Sequence, residues 1–578
     1  VYQREFLSLK PEISKDKEVS RMRIWKGHRR ARVLSIFFLA VLLALIGSST
    51  AGGQTVRRED SIVRESGSFP LYPDPAVGNG NVECIALANL YDSLVFPHPT
   101  KGIIPHLATE WTVSTDGLKY TFKLRQGVKF HNGDELTAED VEFSVKRLLT
   151  IGEGFAYLFT DVADVRVADD YTVEFTLSKP FGPFVEALLR LYILNKDQVM
   201  ANIEKPGMYG EFGDYGKRWL LTNDAGSGPY KLIEMRLEEY LLAEKFEEYW
   251  GGHEEDAPNY FQLIASYEPV TVRTMLARRE LEITDMWQPM ESLLAAAKIE
   301  GIHLAYLPNG QNLQIMLNTK KAPTDCIHFR KALAYCMDYQ TAVDKIFIGS
   351  IRSQGPVPSM LPGHKKELWV YERNMEKAKE EIQKSKYYDQ LDKYPIQISW
   401  SADVAEEEKI SLLLQANAAE LGIKVEIQKK QWGQIIADAQ TKETTPHGSI
   451  MFVGTHYPEA GSMLKSRYHS STAGTWEQQE WLEDPEIDRL IDEALMTTDR
   501  EKRFELYGEI QERIVELCPT IWLVDHCEIR AYQRAYLDWP LADYVEAGGQ
   551  IVCPTLGYFD YFRDMRIYPE KKAEMLGR

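Results

Sequence analysis

Three histidines, His447, His456 and His469, crowd into 23 residues of a chain that also carries six cysteines and 86 acidic side chains. Imidazole, thiolate and carboxylate are the groups that ligate metals and move protons. The spacings argue against most of that chemistry. The histidine intervals match no metal-binding pattern. Cys84, Cys326, Cys336, Cys518, Cys527 and Cys553 form no C-x-x-C, so neither a zinc knuckle nor a dithiol redox centre is indicated. G-x-x-x-x-G-K-[ST], H-E-x-x-H and G-x-S-x-G are missing, and no G-x-G-x-x-G follows a strand. Carboxylates are too abundant for a catalytic pair to stand out. What remains is binding chemistry. Aromatics make up 11% of residues, with 12 Trp and 30 Tyr, and rigid aromatic faces suit the walls of a solute site. The same content also suits a Tyr-rich core.

Charge and targeting narrow the setting. The formal charge is −19, but residues 1–51 are basic; the rest holds 57 Lys/Arg against 82 Asp/Glu, a net −25. So acidic a body is a poor partner for nucleic acid or an anionic membrane surface. "RMRIWKGHRRAR", a 14-residue apolar run from Val33 to Ile46 and the small residues Ser49 and Ala51 read as a secretory signal peptide cleaved after Ala51. The apolar run is short of the ~20 residues of a spanning helix, although an uncleaved segment would tether the protein. Met22 is a possible true start, leaving residues 1–21 untranslated. Export permits disulfides, and six cysteines allow 15 complete pairings among which sequence cannot choose.

The chain between these landmarks is strongly patterned. In "TDGLKYTFKLRQGVKFHNGDELTAEDVEFSVKRLLT" (115–150), Leu118, Tyr120, Phe122 and Leu124 alternate with polar residues, as in a half-buried strand. Thr137 and Asp140 form a capping box, followed by a helix with Val141, Val145 and Leu148 on its apolar face. "VRVADDYTVEFTLSKP" is a hairpin, and 95–225 reads as an α+β unit of its own. "NLQIMLNT" alternates. "CIHFRKALAYCMDYQTAVDKIF" reads as one helix, with Phe329, Leu333 and Met337 at four-residue spacing. "YPIQISWSA", a helix ended by Gly422 and "KVEIQKKQ" form a βαβ-type unit, which predicts a mostly parallel sheet within 311–530. "TIWLVDHCEIRAY" is a strand after Pro519.

Residues Pro105 to Leu149 carry "LA-x-x-W", "DG", "YTF-x-LR-x-GVKFH-x-G" and "T-A-x-DV-x-FS" in order. This segment resembles the family 5 extracellular solute-binding proteins, the peptide and nickel class of receptors for ATP-binding-cassette importers. "GSGPYKL…YW", "LNTKKAPTDCIHFRKALAYCMDYQTAV" and the late helices extend the resemblance over about residues 56 to 560. It implies an α/β (mixed α+β), two-lobed periplasmic-binding-protein fold, type II, cluster C, with an extra α+β domain. After the signal region (1–51), lobe I would hold 52–94, 226–310 and the return 531–578, the extra domain 95–225, and lobe II 311–530. The expected function is an exported, non-enzymatic receptor, periplasmic or extracellular. It would be a monomer without cofactor or metal that captures an oligopeptide-like solute and delivers it to ABC permease subunits and their ATPases. An oligosaccharide is the alternative ligand. A sensory or chaperone-like receptor docking on a membrane sensor is the alternative of another class.

The resemblance also places site residues. Where peptide receptors read roughly Asp-Tyr-Pro-Asp-Pro, this chain reads "VGTHYPEAGSML" (453–464). Tyr457 is kept, His456 replaces the acid that meets the ligand ammonium, and Glu459 is the remaining acid. "SWSADVAEEEK" (399–409) lacks the Arg that meets a dipeptide carboxylate, so a short free dipeptide fits worst. Trp287 follows a buried strand where the cleft wall is expected, and Trp432 follows the "KVEIQKKQ" strand; each is pocket or core. Asn309, Gln311 and Asn312 precede the lobe crossing and could hydrogen-bond a ligand, though Asn and Gly there are also turn chemistry.

Overall fold

The computed structural model describes residues 57–69 and 71–577. The expectations for residues 1–51 lie outside them. The first lobe opens with β1 (Ile62–Gly67) and α1 (Asn81–Leu90). The chain then leaves for the extra unit, built from β2 (Ala108–Val113), β3 (Lys119–Leu124), α2 (Ala138–Ile151), β4 (Val162–Asp169) and β5 (Thr172–Leu177). Its sheet runs β2-β3-β5-β4, all antiparallel. Tyr120, Phe122 and Leu124 are buried while Lys119 and Lys123 are exposed, which fixes the register of β3. The Asp140 carboxylate accepts the Thr137 backbone N–H at 2.9 Å, starting α2, whose Val141, Val145 and Leu148 are buried. The core of this unit continues without a break into the first lobe. Buried Arg147 of α2 grips Asp74 of the first lobe with two bonds of 2.6 and 2.7 Å.

Back in lobe I, β6 (Tyr230–Arg236), β7 (Tyr240–Lys245) and β8 (Tyr260–Ala265) complete a sheet of order β1-β8-β7-β6. β9 (His303–Leu317) then crosses to lobe II. There follow α3 (Ile327–Cys336), β10 (Ile351–Arg352), β11 (Ile396–Ser401), α4 (Ala405–Ala419), β12 (Val425–Lys430), β13 (Gly448–Val453), α5 (Ala460–Tyr468), α6 (Pro485–Met496), α7 (Arg500–Leu517) and β14 (Thr520–Tyr532). The lobe II sheet runs β10-β14-β9-β13-β11-β12.

Three sequence expectations need correction here. The lobe II sheet is mixed. Only β11–β12 and β11–β13 are parallel; β9 and β14 arrive from the other lobe and pair antiparallel. For the same reason 312–317 does not alternate: this central strand is covered on both faces and buried at every position. The helix expected through Met337 stops at Cys336, where Met337 turns extended before a short second helix. All six cysteines are unpaired, five of them buried.

One strand pair carries the chain between lobes. β9 and β14 pair from His303–Tyr532 to Met316–Thr520, and Ile283 bridges both Glu65 of β1 and Tyr532 of β14. The ladder slips between Pro308 and Asn312 and again between Leu313 and Gln314. Gly310 sits inside the first bulge at φ +71°, and a Cβ there would meet Pro554 Cγ at 2.7 Å. Gly310→Ala therefore combines left-handed strain with a clash. It should lower stability by about 1–3 kcal/mol, read as a lowered melting temperature by calorimetry. Unchanged melting would mean the bulge relaxes freely.

Candidate functional site

The parallel strands β11, β12 and β13 end on one edge of lobe II, at Ser401, Lys430 and Val453. In α/β sheets ligands collect outside such carboxyl ends. The chain leaves β13 as Gly454-Thr455-His456-Tyr457, and this loop faces the extra unit. Between them lies a cavity of about 680 Å³ walled by Tyr157, Phe181, His456, Tyr457, Trp476 and Glu477. The size falls within the roughly 300–1,000 Å³ typical of solute pockets.

Buried Arg190 of the extra unit holds the loop in place. Its Nε donates to the His456 carbonyl at 2.9 Å and its Nη1 to Leu556 O at 3.1 Å, with the guanidinium 4.8 Å over the Phe155 ring. The His456 backbone N–H donates to Ser462 Oγ at 2.8 Å. Its ring stands edge-on to Tyr157 (5.3 Å) and places Nε2 3.1 Å from Glu477 Oε1. Tyr457 is buried against Phe181 (6.1 Å), and burial, reinforced by the charge of Glu459, pushes its phenol well above the usual range. Two more ion pairs line the cavity: Lys179–Asp161 at 3.5 Å and Lys465–Asp492 at 3.2 Å. The lining thus carries both signs of charge.

Glu459 does not reach the cavity. It is 1% exposed. Arg503 Nε and Nη2 donate to its two oxygens at 2.9 and 2.8 Å, and Tyr507 donates a third bond at 2.8 Å. The carboxylate is committed inside lobe II, which removes it as a partner for a ligand amine and overturns the expectation that it could serve as one. Trp432 is partly exposed and meets Trp476 edge-on at 5.1 Å, so it backs the wall rather than forming it. Trp287 lies at a separate lobe junction, 5.5 Å from Phe452, beside a small space of about 40 Å³ that also touches Phe347 and His526. Asn309, Gln311 and Asn312 occupy the strand crossing. Asn312 is fully buried, and Gln311 packs against Gly454, where a Cβ would meet its Cγ at 3.0 Å.

Sequence reasoning missed Tyr157, Phe181, Trp476, Glu477 and Arg190. Trp476-Glu477 stand in "STAGTWEQQEW", an aperiodic polar loop rich in Trp, which is the one local hint. The others come from the extra unit, some 270 residues before His456, and carry no local signal. The remaining histidines are structural. His447 accepts from the Gln397 N–H and donates to the Ala322 carbonyl, and burial holds it down to about 4. Among the described residues, no group of three His, Cys, Asp or Glu is placed to hold a metal.

Two lobes joined by one pair of long strands, with a solute-sized cavity where lobe II meets the extra unit, make this a receptor of the periplasmic-binding-protein type. The family model described as "Bacterial extracellular solute-binding proteins, family 5 Middle" matches residues 102–475, and the chain belongs to that family. It is similar to the probable D,D-dipeptide-binding periplasmic protein DdpA of Escherichia coli K12, at 28% identity over 85% of this chain and 93% of that one. It is also similar to heme-binding protein A of Haemophilus influenzae, at 26% identity over 83% of this chain and 91% of that one. Among solved structures, the oligopeptide-binding protein AppA of Bacillus subtilis in complex with a nonapeptide superposes with a TM-score of 0.71. The identity is 20%, over 88% of this chain and 99% of that one. No helix of the described residues is long and apolar enough to cross a membrane.

Two predictions test these placements. Removing one member of a buried ion pair costs roughly 3–5 kcal/mol, so Glu459→Gln should lower stability by about 3 kcal/mol in denaturant titration; a neutral result would mean the carboxylate is not committed. The neighbouring Glu186 is pushed up to about 7, chiefly by burial and then by the Glu459 charge. Below its unfolded value of 4.5 the carboxyl is protonated in both states. As pH rises from there to about 7, only the unfolded chain releases the proton, so this group subtracts stability. Glu186→Gln should therefore gain on the wild type in melting temperature across that window; a constant difference would contradict the shift.

Proposed function

We propose that this receptor captures an oligopeptide-like solute in the His456 cavity and delivers it to ABC permeases in the membrane, acting as a monomer without a chemical step. The observation that carries the reading is the presence of paired acids and bases in the cavity lining. Glu477–His456, Asp161–Lys179 and Asp492–Lys465 offer both signs within one solute-sized space. A zwitterion with a polar backbone answers such a wall at both ends. Glu477 stands where its carboxylate can meet a ligand ammonium, with His456 as its resting partner. His456 at this position and the absence of an Arg in 399–409 favour peptides longer than a dipeptide. The names of DdpA and of the nonapeptide-bound AppA support a peptide ligand. The aromatic wall of Tyr157 and Trp476 supports the second reading, an oligosaccharide stacking on those rings.

Calorimetric titration with tri- to pentapeptides, their N-acetylated forms and oligosaccharides separates these readings. Free peptides should bind. Blocking the amine and Glu477→Gln should each weaken binding by about tenfold or more, the scale of a charged hydrogen bond. Equal binding of acetylated peptides would remove the amine role of Glu477. Binding of sugars alone would replace the peptide reading with the second one.

A further inference from the structure

The strand crossing holds more buried negative charge than it can balance. Around the Arg530 guanidinium lie Glu65 from β1, Glu528 from β14 itself, and Asp560 from the carboxyl-terminal segment. Asp285, on the turn before Trp287, adds a fourth carboxyl whose charge acts on the same arginine. All five side chains belong to residues 5% exposed or less. Arg530 is the one cation these four carboxyls share; nearby Arg64 and Lys572 are taken by Glu282. With every acid ionised, four negative charges would face one positive charge away from water, an arrangement that buried groups escape by taking up protons. Two oxygens have room for that: Glu65 Oε2 and Asp560 Oδ1 have no hydrogen-bond partner.

Glu528 is the member of this cluster that touches the crossing. Its Oε1 accepts from Arg530 Nη1 at 3.3 Å and its Oε2 from the Asn309 amide at 3.1 Å. Asn309 belongs to the slipped stretch of β9. Its Nδ2 also lies 3.1 Å from Gln311 Oε1 and 3.1 Å from His526 Nδ1. The amide therefore has two hydrogens for three acceptors at equal distance. Burial holds His526 down to about 3, and with its hydrogen on Nε2 the ring presents Nδ1 as an acceptor. If Glu528 takes up a proton, both Asn309 hydrogens still find acceptors in Gln311 and His526. Gln311 in turn packs against Gly454, at the root of the His456 loop. Asn309 and Glu528 line a small space of about 10 Å³ together with Asn81, Thr555 and Asp560.

We propose that the carboxyl cluster around Arg530 is a proton-operated lock on the lobe crossing: ionised Glu528 ties Asn309 of β9 to Arg530 of β14, and a proton on Glu528 releases it. The groups facing Glu528 set the range of the switch. Burial raises it most, Arg530 opposes, and Asp560 adds to the rise, placing it at about 7. Glu65 and Asp560 are both raised by burial as well, against the charge of Arg530. The crossing is thus tied above neutrality and loosened below it. Asn309 is a positioning residue in this scheme, acting on the ligand loop through Gln311.

The test needs no ligand. Amide hydrogen exchange of the full chain, corrected for intrinsic rates, is followed at 305–312 and 523–530 between pH 8 and pH 5.5. In the wild type, protection at the crossing should drop about tenfold with a midpoint near neutrality, while β3 and α2 stay constant. Glu528→Gln should abolish the step and hold the crossing at the low-pH level. Asn309→Ala leaves every charge of the cluster in place, so it keeps the proposal testable if the Glu528 variant fails to fold; it too should abolish the step. A flat wild-type profile, or a step that persists in Asn309→Ala, would overturn the proposal.

Discussion

The β9–β14 ladder is the constraint on which the molecule depends. Two strands of 15 and 13 residues carry the chain between lobes, and their backbone groups must stay paired wherever water is excluded. That requirement makes the lobe II sheet mixed, because the arriving strands pair antiparallel while the local βαβ unit is parallel. It also gathers the departures from regular pairing between Pro308 and Gln314. The ladder slips at 309–311, where a glycine takes a left-handed conformation and polar side chains replace apolar ones. A joint that bends must sacrifice regular pairing somewhere, and here the side chains of Asn309, Gln311 and His526 supply hydrogen bonds to each other at the slip.

Charge is handled in two ways. Around the His456 cavity, acids and bases stand in separate pairs near solvent, each available for exchange with a solute that brings its own charges. Inside the protein, Arg503 closes on Glu459 and Arg147 on Asp74 with both oxygens engaged, so these acids serve packing alone. The Arg530 cluster belongs to neither class, since it is enclosed and unbalanced. The same residue type is thus binding surface, structural clamp or proton holder, according to how many donors meet its oxygens.

Local pattern revealed much of the fold. The strand read from "TIWLVDHCEIRAY" spans Thr520–Tyr532, and Thr137 with Asp140 marked the start of α2, because both signals arise from neighbours within one or two turns of chain. Loop 453–456 emerged as a cavity wall through family resemblance, since nothing in "VGTHYPEAGSML" is periodic. What sequence could not supply was the partner of each charged group. Glu459 looked available because Arg503 lies 44 residues later on a helix where it reads as an ordinary surface cation. Glu477 was passed over because its proximity to His456 depends on how a polar loop folds back. Tyr157 and Phe181 belong to a different unit, and only the packing of that unit on lobe II brings them to the cavity.

The unpaired cysteines give the fold a kinetic side. Cys84, Cys336, Cys518, Cys527 and Cys553 are buried, and burial pushes each thiol up to about 11 or 12, where the reactive thiolate is scarce. Members of an extracellular family meet oxidants that would cross-link such thiols in an unfolded chain. Cys84 from the first lobe and Cys518 from the second are protected only once both cores have closed. The folded structure therefore protects these thiols by enclosure, with both cores needed to cover the set.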